Sequence, residues 1–95
     1  MMYVKGQVVT VRATFSIDGV ATDPTTTTFK VKHPDASIDE FVYGIDSEVI
    51  RDSAGAYRMD IDCDASGTFY YRIEAEGAVV DAIEKSFEVK RSQFD

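Results

Sequence analysis

Apolar and polar residues alternate with a period of two along most of this chain. Val9, Val11, Ala13 and Phe15 share one face of the stretch from Val8 to Phe15, and Thr10, Arg12 and Thr14 share the other. That is the pattern of a strand buried on one side only. It recurs with Thr27, Phe29 and Val31 set against Thr28, Lys30 and Lys32. It is strongest from Tyr57 onward, where Tyr57, Met59, Ile61 and Cys63 oppose Arg58, Asp60 and Asp62. Phe69, Tyr71, Ile73 and Ala75 then oppose Tyr70, Arg72 and Glu74, and a last strand places Phe87 and Val89 inside. Weaker strands are predicted at residues 38–44, burying Phe41 and Tyr43, and at 47–52, carrying Val49 and Ile50. Residues 78–84 read as an irregular strand in preference to a turn of helix.

Turn chemistry separates these runs. Asp18-Gly19 tolerates positive φ, Pro24 closes the connection after it, and His33-Pro34-Asp35 ends the next strand. About seven or eight short strands with turns every ~8–12 residues, and no helical periodicity, predict an all-β antiparallel sandwich. Residues 1–95 read as one domain.

Two stretches share the frame Asp-x-x-Gly-x-aromatic, at residues 52–57 and 64–69. Each Asp is expected to accept hydrogen bonds from amides of its own turn, and each Gly to take up positive φ. The aromatic then opens the buried face of the next strand. Asp60 and Asp62 lie between the frames, and with Asp64 they are spaced like the first ligands of a calcium loop. With Asp60 as position 1, however, position 6 is Ala65 and position 12 is Tyr71, where such a loop needs Gly and Glu. The aspartates are read as the solvated face of a strand and its turn.

Composition supports β structure. The chain has eleven Val, seven Ile and eight Thr, and no Leu at all. Its net charge of −7 repels phosphate backbones, and Lys and Arg are scattered singly, so nucleic-acid binding is not expected; no apolar run approaches the ~18 residues of a membrane span, so none is expected either. The start, "MMYVKGQ", carries no apolar run of signal-peptide length. The single cysteine, Cys63, excludes an internal disulfide, and with His33 as the only histidine it supplies neither a zinc set nor an expected catalytic dyad. No phosphate loop is present, so no cofactor and no enzymatic activity are expected.

Candidate contact residues remain. Tyr70 and Arg72 lie on an outward row, and Tyr and Arg are enriched in protein interfaces. Arg58, Asp60 and Asp62 form another such row on the preceding strand, and cross-strand ion pairs would follow if those two strands paired. Tyr3 and Phe94 sit at the ends, in residues 1–5 and 91–95, which read first as caps of the sandwich or frayed ends and, as the alternative, as docking arms that order against a larger assembly.

The order "VKGQVVTVRATFSIDGVATDPTTTTFKVKHPD" followed by "YGIDSEVIRDSAGAYRMDIDCDASGTFYYRIEAEGAVVDAIEKSFEV" resembles small immunoglobulin-like proteins encoded among the structural genes of tailed bacteriophages. The likeness runs from about residue 5 to about residue 90. It is carried by Asp18, Gly19, Asp23, Pro24, Thr25, Pro34, Asp35, Asp52, Gly55, Tyr57, Asp64, Gly67, Tyr71, Arg72, Phe87 and Val89. Phe69 stands where such sequences usually have Trp. Ala36 stands where they have the Gly of a Pro-Asp-Gly turn, so another turn type is expected there. The resemblance implies an immunoglobulin-like or fibronectin-III-like sandwich and a non-enzymatic virion protein. Such a protein would be assembled in the bacterial host cytoplasm, on the capsid as a decoration or head protein or at the head–tail junction. Its partners would be capsid, connector or tail proteins, or further copies of itself within the particle. The alternative is an outward-facing recognition module for a host-surface glycan or protein, with Tyr43, Tyr70 and the loops as contacts.

Overall fold

A computed structural model describes residues 2–94 of the chain, and all regular structure among them is β. The outermost residues of the two expected docking arms, 1 and 95, lie outside the described residues. Ten strands run in chain order: β1 (Met2–Val4), β2 (Val8–Thr14), β3 (Ser16–Ile17), β4 (Val20–Ala21), β5 (Thr26–Lys32), β6 (Ile38–Val42), β7 (Ile50–Ser53), β8 (Ala56–Asp62), β9 (Gly67–Glu76) and β10 (Asp81–Lys90). A five-stranded sheet has the order β1-β10-β9-β5-β6, and a three-stranded sheet the order β2-β8-β7. β3 and β4 form a separate small hairpin.

The two larger sheets close on one core. Val9, Val11, Ala13 and Phe15 from β2 and its end meet Tyr57, Met59, Ile61 and Cys63 from β8 and its end. Phe29 and Val31, Phe69 and Ile73, and Phe87 and Val89 come from the other sheet. Every inward position of the strong alternating runs is buried except Tyr71, which is half-buried against the core. Each fully buried large side chain contributes about 1.5–3 kcal/mol on leaving water. Phe69 and Phe87, opposite each other in the β9–β10 register, stack with centroids 5.2 Å apart.

Several expectations are corrected. The larger sheet is mixed and not purely antiparallel, because β1 runs parallel to β10. Tyr43 is exposed and lies past the end of β6, its ring edge-on to Tyr57. Residues 77–79 form a bend, whereas 81–84 begin the ten-residue β10, which continues without a break into the strand expected as the last one. Most consequential, β8 and β9 do not pair. The chain crosses from one sheet to the other over residues 63–66, so the outward rows of Arg58 and Arg72 lie on different sheets.

The turns explain how the ends hold. Asp18 and Gly19 have φ of +50° and +80°, a mirror-image hairpin turn between β3 and β4. At the β5–β6 hairpin the turn keeps the left-handed residue despite lacking glycine: Ala36 sits at φ +73°. Its N–H donates to the His33 carbonyl at 2.9 Å, and the Asp35 carboxylate accepts from the Ser37 N–H at 2.9 Å and its hydroxyl at 2.6 Å. The Asp35 brace holds a conformation that glycine would adopt without strain.

Candidate functional site

The most connected polar centre is one carboxylate. Asp23, just ahead of β5, accepts from Arg51 through Nε at 3.1 Å and Nη2 at 2.9 Å, from the Gly55 N–H at 2.8 Å and from the Tyr57 hydroxyl at 3.0 Å. The Arg51 hydrogen bonds and then the Gly55 amide hold its carboxyl far below the usual carboxylate range. Burial, then the bond to Asp23, pushes the Tyr57 hydroxyl up. Gly55 is buried at φ +71°, and a Cβ there would collide with the Phe15 carbonyl oxygen. The Phe15 N–H in turn donates to the Gly55 carbonyl at 2.8 Å. This is a clasp joining the end of β2, β7, β8 and the entry to β5, with both Asp23 oxygens engaged inside the fold, so its role is structural. It corrects the expectation that Asp52 would hold its own turn. Asp52 instead takes Arg58 at 2.8 Å and Arg12 at 3.5 Å.

The predicted contact residues occupy three separate places. Tyr70 and Arg72 lie on the outer face of the five-stranded sheet, where Tyr70 is 48% exposed. Arg72 bonds Glu74 at 2.6 Å and Glu84 at 3.0 Å, and Lys30 reaches Glu74 at 3.0 Å. This lattice raises the Arg72 pKa and lowers that of Glu74, the Arg72–Glu74 hydrogen bond being the largest cause of each. Beside it lies a shelf of about 220 Å³ between Tyr70, Lys32, Ile38 and Glu84. Tyr3 is half-buried on β1, and its ring meets Phe87 edge-on at 5.5 Å. Phe94, beyond β10, is 99% exposed.

A second concavity, about 230 Å³, opens between the sheets where β6 faces β8. Phe41, Met59 and Ile61 form its apolar floor, and Asp39, Glu48, Asp60, Asp62 and Asp64 its rim. His33 sits at one end, its Nε2 2.7 Å from Asp39 and its ring edge-on to Phe69. Burial, then the charges of Asp62 and Asp64, raises the Cys63 pKa and disfavours its thiolate. Among the described residues, no three His, Cys, Asp or Glu side chains are grouped to hold a metal ion. Asp60 accepts from the Thr10 hydroxyl at 2.6 Å. The alternation in β6 marked Phe41 as inward. Nothing in the sequence marked Asp39 and Glu48 as lining one concavity with Asp60, because Asp39 and Asp60 lie on different sheets.

No family model matches the chain, and no curated protein is similar to it in sequence.

Proposed function

We propose that this protein is a non-enzymatic virion component of a tailed bacteriophage, bound to the capsid or at the head–tail junction and acting through protein contacts. The sequence resemblance described above supports the virion assignment. The strand order supports an immunoglobulin-like sandwich: β2-β8-β7 follows the B-E-D order, and β10-β9-β5-β6 the G-F-C-C′ order. A sandwich of this kind does not by itself assign a role. The observation that carries a contact role is that both sheets leave strand edges unpaired among the described residues: β6 at one end of the larger sheet, and in the smaller sheet its end strands β2 and β7 and the far half of the central β8, which β7 is too short to cover. Open strand edges recruit other chains unless they are covered.

The test is mass spectrometry of gradient-purified phage particles from bacteria that express this gene. The expected result is the chain present at a fixed ratio to the major capsid or connector protein and retained through washing. Recovery only as a free monomer, with none in particles, would overturn the proposal.

A second reading has its own observation. The half-exposed Tyr70 ring beside the shelf of Lys32 and Ile38 is a surface on which a sugar ring could stack. Binding to an array of host-surface glycans that disappears in Tyr70→Ala would favour it, and an empty array would count against it.

A further inference from the structure

The open side of β8 can be specified atom by atom. β7 accompanies β8 only from Ala56 to Arg58, with a bulge between Arg51 and Ser53. The preceding residues turn toward β6, the Asp46 N–H donating to the Val42 carbonyl at 2.8 Å. At the other end, Cys63 spends both main-chain groups on the β2 side, its N–H donating to Gln7 at 2.9 Å and its carbonyl accepting from Gly6 at 2.8 Å. Successive residues of an antiparallel strand point their main-chain groups to opposite sides. Met59 and Ile61 therefore serve β2, and the N–H and C=O groups of Asp60 and Asp62 face the side that no strand covers. That side borders the cleft floored by Phe41, Met59 and Ile61.

We propose that this edge takes up an extended, basic segment of a partner protein as an added strand next to β8. The inference rests on the contact role above and names its site and ligand chemistry. Free N–H and C=O groups in register call for an extended main chain. Alternate side chains of that segment would point at the apolar floor. The rest would lie beside Asp60 and Asp62 on the outer face of the sheet, with Asp39 and Glu48 adding negative charge across the cleft, and none of the described residues that line it is Lys or Arg. The occupant therefore alternates apolar residues with Lys or Arg over about five positions, roughly 17 Å of strand. A second copy of this chain, itself at −7, would bring like charge to an acidic rim.

The probe is a blocked seven-residue peptide alternating lysine and valine, titrated into the intact protein and followed by amide chemical shifts. The expected result is saturable binding, with the largest shifts at Asp60 and Asp62. It should weaken about tenfold in an Asp60→Asn/Asp62→Asn double variant and fall steeply with added salt. A peptide with glutamate in place of lysine should not bind. Peptides N-methylated at every second residue, tested in both phases, should lose binding in the phase that blocks the ladder. Absence of saturation, equal binding of both methylated peptides, or shifts centred on Tyr70 would each overturn the assignment. If the peptide fails while the chain is found in particles, only this edge assignment falls. If the chain is missing from particles as well, the contact role falls with it.

Discussion

At the scale of single residues, Asp23 and Ala36 make opposite points. Asp23 sits 32 positions from the Gly55 amide it accepts from, and nothing local in the sequence links the two. Its ionised form is strongly favoured in the folded state, so its contribution to stability is complete above the unfolded aspartate pKa of about 3.9. That contribution shrinks as the pH falls from there toward the depressed native value. Asp23→Asn should lower the melting temperature at neutral pH more than Asp52→Asn, and the gap between Asp23→Asn and the parent chain in thermal melts should begin to narrow below about pH 4 and keep narrowing toward the depressed native value. A constant gap at all pH values would deny the clasp its charge. Ala36, by contrast, breaks the Pro-Asp-Gly pattern yet keeps the left-handed backbone, since the surrounding hydrogen bonds hold the hairpin register. Left-handed alanine costs about 1–2 kcal/mol, partly offset by the stiffer unfolded chain. Ala36→Gly should therefore raise the unfolding free energy by about 0.5–1 kcal/mol in urea melts.

At the scale of elements, alternation located the strong strands from the sequence, but it could not show which strands pair. The runs from Tyr57 and from Gly67 look like two arms of a hairpin, separated by a turn frame with Gly67 at φ +125°. Their inward residues do share one core, but from opposite sheets, a distinction that period-two patterning does not carry. The short β1 was equally hidden, since three residues of strand leave almost no pattern. If residues 2–4 served only as a docking arm, Tyr3→Ala would leave the isolated protein unchanged. Because the Tyr3 ring packs on Phe87, a loss of about 1–2 kcal/mol is expected instead in chemical denaturation. Phe69 has no exposed surface and is stacked on Phe87 with His33 at its edge, so the pocket fits a single ring. Phe69→Trp should cost about 1–3 kcal/mol by overpacking. Phe69→Ala should cost about 3–5 kcal/mol.

At the scale of the whole molecule, the sheets assemble a dry interior and leave an uneven margin. The all-β class, the Tyr57–Ala75 core faces and the outward aspartates were legible in the chain itself. The acidic cleft was not, because Asp39 and Glu48 come to line one concavity with Asp60 and Asp62 only once the two sheets are laid together. The same juxtaposition leaves β8 paired on both sides at its start and on one side only toward its end. Amide hydrogen exchange along β8 in the free protein tests that arrangement most directly. The expected pattern is slow exchange at Tyr57, Arg58, Met59 and Ile61, with fast exchange at Asp60 and Asp62. Uniform protection through Asp62 would mean that the edge is already covered, and fast exchange at Met59 and Ile61 would mean that β8 does not pair with β2 as described.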